Sequence, residues 1–339
     1  MRKLSAPLLS RRSLLATLGA VTVPPALLAG CGGGSGSAGG VSPAPTGSVT
    51  ITPTDGAAAS SSASSSSSAA SSSAAPYVPA MTWTKAIGPA LNTSNLALTF
   101  DSTFSAPDAL SHISASGGPG PWFGPVHASF GAATFVAPTH IPSPFSIVDG
   151  KLRIRCEQVN GAWQTGHMQT CDFSGAGFAQ QRGYFEIRCK MPAQGTQGAW
   201  PAFWLYSRTF YTDPSKTKAE IDVIEYYPGN DARGHHSTVH LRPGNPVQPG
   251  EIAQAWQAAC YNSILSMQDG AYHTYGAEIT ADWIIIYFDR VELKRIPMSH
   301  EFDTPLYLLV SMSLNPDEVA KAVGPIDLLV DYVRVWQRV

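Results

Sequence analysis

From Tyr77 onward the dominant signal is an alternation of apolar and polar positions with period two. It runs through Leu152-Arg153-Ile154-Arg155-Cys156, through residues 184–191, through 283–289 and through 328–336. That period sends successive side chains to opposite faces of a β-strand. Turn signals at Asp149-Gly150, Arg182-Gly183 and Pro228-Gly229 separate the runs. Helical periodicity is weak and predicts only two short helices, near 249–259 and 316–322. No internal repeat is visible. No Gly-rich loop opens a helix, which argues against a nucleotide-binding fold. Many strands in one domain of this size predict an all-β fold of two stacked antiparallel sheets, a sandwich or jelly roll.

The first quarter of the chain breaks this pattern. Residues 1–30 start with Arg2, Lys3, Arg11 and Arg12 and continue into an apolar stretch interrupted by Pro24-Pro25. This is the layout of an export signal, too short for a stable membrane span. The Arg11-Arg12 pair resembles a twin-arginine signal. Leu28-Ala29-Gly30-Cys31 resembles a bacterial lipobox, with Cys31 as the lipidated residue; an ordinary secretory signal with an incidental Cys is the alternative. From Cys31 to Pro76 the only charged residue is Asp55, and residues 57–75 are all Ala or Ser. Such a segment cannot bury enough apolar surface to offset its ordering entropy. It reads as a disordered tether, residues 31–76, spanning ~35–40 Å as a flexible coil. Residues 77–339 then form the folded domain. The expected location is the bacterial cell envelope, with membrane contact only through the lipid.

Charge narrows the partners. The chain is charge-poor, with 14 % charged residues and a net charge of −2. Past the signal, 18 basic residues face 24 acidic ones. A mildly acidic domain without a basic stripe does not suit nucleic acid or an anionic lipid surface; a neutral partner such as a sugar suits it better. A monomer is expected. If Cys31 is lipidated, Cys156, Cys171, Cys189 and Cys260 remain. Cys156 and Cys189 both fall on the apolar side of a strand, as a bridge or as two buried thiols. No C-x-x-C spacing points to zinc or redox chemistry.

The segment that carries chemistry is Lys218-Ala219-Glu220-Ile221-Asp222-Val223-Ile224-Glu225-Tyr226-Tyr227. Three acids stand within six residues of an otherwise apolar strand. Glu220 and Asp222 share a face, whereas regular alternation would turn Glu225 into the core at high cost. One β-bulge at Val223-Ile224 shifts the parity and gathers all three acids on one face. Two long glutamates leaning over a concave sheet then suit the ~5–5.5 Å carboxyl separation of a retaining glycoside hydrolase.

This stretch resembles the signature of glycoside hydrolase family 16 in its bulged E-x-D-x-x-E form. Four more segments agree in order: Gly183-Tyr184-Phe185-Glu186-Ile187-Arg188, Gly198-Ala199-Trp200-Pro201-Ala202-Phe203-Trp204-Leu205, Asp269-Gly270-Ala271-Tyr272-His273-Thr274-Tyr275, and Val330-Asp331-Tyr332-Val333-Arg334-Val335. The resemblance implies a β-jelly-roll sandwich with a substrate cleft on its concave sheet. It implies Glu220 as nucleophile, Glu225 as acid/base and Asp222 between them, with no cofactor required. It places Trp200, Trp204 and His240 on the sugar-binding side, Trp204 having core packing as its alternative and His240 a structural role. It matches Asp331 and the Gly150 carbonyl to an optional structural Ca²⁺ site. His235, His236 and His240 match no metal-ligand set, and His273 reads as structural. The implied activity is endo-hydrolysis of a polysaccharide, a β-1,3- or mixed β-1,3/1,4-glucan, with galactan cleavage or transglycosylation open. A non-catalytic carbohydrate-binding jelly roll is the rival, but it needs no spaced acid pair. Departures from the family pattern at Asp289-Arg290, Ile279 and Ser311-Met312-Ser313 cluster around the expected cleft rim. The Gly-, Pro- and aromatic-rich segment 114–139 reads as an added cleft loop.

Overall fold

A computed structural model describes residues 88–116, 120–124, 130–229, 231–244, 254–261 and 269–339. The export signal, Cys31 and the tether lie outside the described residues, as does the start of the folded domain at Tyr77. In chain order the strands are β1 Leu96–Thr103, β2 Ile113–Ser114, β3 Trp122–Phe123, β4 Thr134–Phe135, β5 Phe145–Val148 and β6 Lys151–Val159. There follow β7 Ala162–Thr165, β8 His167–Gln169, β9 Gly183–Lys190, β10 Ala199–Ser207, β11 Lys218–Tyr227 and β12 Asp231–Arg242. The last are β13 Gln254–Tyr261, β14 His273–Ile279, β15 Trp283–Phe288, β16 Val291–Pro297, β17 Leu306–Leu314 and β18 Ile326–Arg338.

They form two stacked sheets. One runs β16-β15-β14-β9-β18-β6-β7-β4, with β1 on β18 and β5 on β6; the other runs β13-β12-β11-β10-β17-β8-β3-β2. Pairing is antiparallel except where β2 meets β3 and β4 meets β7, all short strands at or near a sheet edge. The period-two runs explain the packing. Leu152, Ile154, Phe185, Ile187 and Val333 of the first sheet meet Phe203, Leu205, Ile221, Leu308 and Val310 of the second in one core. Burial of these alternating residues fixes register, because a one-residue slip would turn each apolar set outward.

The predicted helices are corrected over their described residues; 249–253 lie outside them. Residues 254–261 form β13, a strand pairing β12 from Leu241↔Gln254 to Gly234↔Tyr261. Near 316–322 the chain makes only a 3₁₀ turn, Val319–Lys321. Pairing with the preceding strand makes the first segment extended, and the second is a turn held by local bonds, Lys321 N–H to the Glu318 carbonyl and Ala322 N–H to the Val319 carbonyl. Cys156, Cys171 and Cys189 are buried free thiols. Cys156 pairs with Ile326 and Cys189 with Val330, on opposite sides of β18. An intervening strand puts them about 10 Å apart across the sheet and the four-residue stagger adds about 13 Å along it, so they lie roughly 16 Å apart, beyond disulfide reach. Burial pushes the Cys156 thiol up to about 12.

Candidate active site

The bulge stands where the parity of the acids requires it. Against β10, Phe203 pairs Ile224 but Trp204 pairs Asp222; against β12, Asp222 pairs Thr238 and Glu225 pairs His236. Val223 is the extra residue. Val223 and Ile224 therefore both enter the core, and Glu220, Asp222 and Glu225 emerge together on the concave face. A bulge leaves a backbone group out of the ladder, and here two buried side chains of β12 satisfy it. His235 Nε2 and Ser237 Oγ each donate to the Val223 carbonyl at 2.8 Å. A carbonyl only accepts, so Nε2 carries the hydrogen. The His235 ring lies against Tyr275 and Phe288 of the opposite sheet. Burial pulls its pKa down to about 4, so it is neutral at ordinary pH.

Each acid has its own partners. Glu225 Oε1 accepts from Trp200 Nε1–H at 2.9 Å and from Tyr227 O–H at 2.8 Å. Glu220 is forked by Arg242, with Nε at 2.5 Å from Oε2 and Nη2 at 2.8 Å from Oε1. His240 Nε2 stands 3.2 Å from Asp222 Oδ2 and 4.0 Å from Glu220 Oε1. Burial raises the pKa of Glu220; the Arg242 hydrogen bonds pull it back, Asp222 pushes it up again, and the balance stays above the ordinary value. Burial alone would lower the pKa of His240, but the Asp222 hydrogen bond and the two carboxylate charges raise it.

Aromatic rings line the same face. Trp200, Ala202, Trp204 and Tyr206 alternate toward the concave side of β10, while Phe203 and Leu205 enter the core. Trp204 thus belongs to the cleft cluster and not to the inter-sheet core. Phe130, from the expected added loop, meets Trp200 edge-on at 5.6 Å and Trp204 at 5.9 Å. Tyr206, Tyr211, Tyr307, Leu309 and Gln169 continue the recess past Trp204. The rim departures take shape here: Ser313 lies beside Trp200 and Ser311 beside Ala202. Ile279 is buried in the core and faces no cleft.

Two arrangements bear on metals. Ligand atoms of Glu220, Asp222 and His240 lie within 4.8 Å of one another. The Arg242 guanidinium covers both Glu220 oxygens, so the group reads as an acid network. The calcium expectation at Asp331 does not fit this chain. Gly150, at φ +70°, follows Asp149 in the two-residue turn between β5 and β6. The next residue, Lys151, brings its Nζ to 2.5 Å from Asp331 Oδ1, and Arg188 Nη1 donates to Oδ2. Two cations already neutralise the carboxylate, and a divalent ion would be repelled by both. His273 is structural: Asp289 and Asp269 flank its two ring nitrogens, and it stacks on Phe288.

Residue patterns alone did not single out Arg242, Tyr227 or Ser237, and they named His235 only within a rejected metal set. Parity marks the first two, since Arg242 follows His240 by two and Tyr227 follows Glu225 by two. His235 and Ser237 carry no such mark, because their partner is a carbonyl that exists unpaired only once the bulge has formed.

A two-sheet β-sandwich with two glutamates and an aspartate along one strand of a ring-lined concave face has the architecture of a carbohydrate-active jelly roll. The chain belongs to the glycosyl hydrolases family 16, whose model matches residues 144–332. It is 30 % identical over 218 residues to the endo-1,3-1,4-beta-glycanase EglC of Rhizobium meliloti, covering 60 % of this chain and 42 % of EglC. It is 29 % identical over 178 residues to the kappa-carrageenase of Pseudoalteromonas carrageenovora, covering 46 % of this chain and 44 % of that protein. This chain therefore spans less than half the length of these relatives. The fold is similar to that of SCLam, a non-specific endo-beta-1,3(4)-glucanase, at a TM-score of 0.57 and 21 % identity, over 74 % of this chain and 95 % of that one.

Proposed function

We propose that this protein is an endo-acting, retaining β-glycosidase. Its substrate on this reading is a β-1,3- or mixed β-1,3/1,4-glucan. The observation that carries the reading is the bulged strand β11, which turns Glu220, Asp222 and Glu225 onto one face beside Trp200 and Trp204. Glu220 attacks the anomeric carbon while Glu225 protonates the leaving oxygen; Glu225 then deprotonates the water that releases the sugar. The donors Trp200 and Tyr227 both fall on Oε1 of Glu225. A proton carried by that group accordingly sits on Oε2. Asp222 and His240, 3.2 Å apart, lie beside the nucleophile and hold its surroundings in place. The displacement runs between carboxylates and calls for no metal. The kappa-carrageenase relative supports a second substrate reading, a galactan.

The lipobox and tether support export and anchoring through Cys31. Loss of membrane association in Cys31→Ser tests that part. Hydrolysis of laminarin, lichenan, agarose and carrageenan by wild type, Glu220→Gln and Glu225→Gln tests the activity. Release of oligosaccharides with retained anomeric configuration, read by NMR, is the expected result. Binding without cleavage by the wild type would instead favour a carbohydrate-binding module.

A further inference from the structure

Arg242 closes β12 at the end of the cleft-facing positions Thr238 and His240. Its register partner is Lys218, so its guanidinium reaches Glu220 on the diagonal. Both oxygens of Glu220 accept from it, in the planar fork that arginine presents and lysine cannot. The Arg242 side chain is 25 % exposed and the Glu220 side chain 7 %, so the cation reaches in from the rim.

The surroundings of Glu220 explain what such a fork does there. Asp222 shares its face and pushes against its charge. Tyr206 packs across from it on β10; burial keeps that hydroxyl protonated, and Glu220 adds to the effect. Lys218 directs its Nζ to the carbonyls of Pro214 and Pro243. His240 lies closer to Asp222 than to Glu220. Arg242 is therefore the cation in direct, two-point contact with the carboxylate. Burial and Asp222 raise the pKa of Glu220 and Arg242 works against them.

We infer that Arg242 is a positioning residue whose fork fixes the rotamer of Glu220 and holds that group as the carboxylate. The inference rests on the reading of Glu220 as nucleophile. In the first displacement a Glu220 oxygen lone pair forms the bond to the anomeric carbon. The bond from that carbon to the leaving oxygen breaks, its electron pair goes to that oxygen, and the Glu225 proton follows. A protonated Glu220 lacks the charge for this step, and an unforked one lacks the aim.

The test is the pH dependence of kcat/KM for wild type, Arg242→Met and Arg242→Lys on a polysaccharide the wild type cleaves. A second, activity-independent readout is carboxyl ¹³C NMR titration of the free proteins, with the Glu220 signal assigned by its loss in Glu220→Gln. Arg242→Met should move the acid limb to higher pH by about one pH unit or more. Its activity at neutral pH should fall roughly 10- to 100-fold, with part of the loss regained as pH rises. Arg242→Lys keeps a charge without the fork, so its kcat falls while its acid limb stays near that of the wild type. It also serves if Arg242→Met does not fold. A loss of the same factor at every pH in Arg242→Met, or a displaced limb in Arg242→Lys, overturns the inference. If the wild type cleaves nothing, the glycosidase reading fails on its own. The NMR titration then decides Arg242: a Glu220 midpoint that rises in Arg242→Met upholds the charge role, and one that stays put overturns it.

Discussion

Glu186 and Glu220 are buried glutamates, each forked by an arginine, and they sit in opposite sheets. Glu186, on β9, receives Arg290 Nε and Nη2 at 2.9 Å, Tyr184 O–H at 2.7 Å and Tyr332 O–H at 2.9 Å. Its two oxygens thus take four donors, and its side chain has 0 % exposure. Glu220 has the same fork from Arg242, but a second acid, Asp222, stands on its own face. A buried charge with a full set of donors rigidifies a fold. One that shares its site with a like charge is an unfavourable arrangement, and such arrangements mark chemistry. The same pair of residue types is a rivet in one sheet and, on the proposed function, the reactive centre in the other.

The sharpest way to break this comparison is to neutralise both glutamates. Glu220→Gln and Glu225→Gln should each lower kcat by roughly three orders of magnitude or more, with the fold intact. Glu220→Gln removes like-charge repulsion with Asp222, so its unfolding temperature should not fall far. Glu186→Gln should do the reverse. It leaves a guanidinium and two tyrosine hydroxyls short of a carboxylate, at a cost of about 3 kcal/mol. Arg290 is 41 % exposed and can partly rehydrate, which keeps the cost at the lower end. Activity per folded molecule should stay near that of the wild type. Denaturant melts beside initial rates check both; a Glu186→Gln protein that is stable but inactive would erase the distinction.

The bulge clamp gives an effect of similar size that depends on pH. Burial lowers the pKa of His235 from 6.5 to about 4, with Tyr275 and Phe288 packed on it and the charge of His236 adding to the shift. The unfolded chain binds the proton first as pH falls. The neutral ring's contribution is therefore whole above pH 6.5 and is lost progressively down to about pH 4. Linkage sets it at roughly 3 kcal/mol. The raised Glu220 pKa acts with the opposite sign, so the difference between proteins is the clean observable. His235→Gln retains an N–H for the Val223 carbonyl and should flatten the acid slope of stability. An unchanged slope would remove His235 as its source.

The fold was legible wherever one strand decided its own conformation. Alternation at 152–156, 184–191 and 328–336 needs only one buried face, and those runs became β6, β9 and β18. Residues 254–261 failed that test because pairing with β12, not their own pattern, makes them a strand. The bulge was legible for a particular reason: three acids on an apolar strand have no tolerable arrangement without it. What holds the bulge was not, since nothing in the run around His235 and Ser237 tells which carbonyl they face. Arg290 shows the same limit. It occupies φ +60°, where the usual turn would place Gly. Only the approach of its guanidinium to Glu186, more than a hundred residues away, explains the choice.

A smaller effect probes the acid/base end of the cleft. Trp200→Phe keeps an aromatic face for sugar stacking and removes one of the two donors on Glu225 Oε1. A hydrogen bond to a charged group is worth about 1.5–3 kcal/mol. The loss falls on the half of the cycle in which Glu225 is anionic, so kcat should drop about tenfold while KM stays near its starting value. Tyr227→Phe should behave alike, through the other donor. A rise in KM without a change in kcat would make both residues substrate contacts only.

The smallest effect belongs to a third carboxylate, and it decides between an ion pair and a metal. Asp331 is 18 % exposed and lies between Lys151 and Arg188. Burial pushes its carboxyl up, but the two cations outweigh that and hold it below the usual range. Lys151→Ala should cost only about 0.5–1 kcal/mol, because the lysine is partly solvated and Arg188 remains. Removing divalent ions with a chelator, or adding millimolar Ca²⁺, should leave the melting temperature unchanged. A bound ion would act by mass action, adding about 2.7 kcal/mol at a hundredfold excess over its Kd. A Ca²⁺-dependent rise in melting temperature that disappears in Asp331→Asn would show that Lys151 yields its place to the ion, and would move Asp331 from the rivets to the ligands.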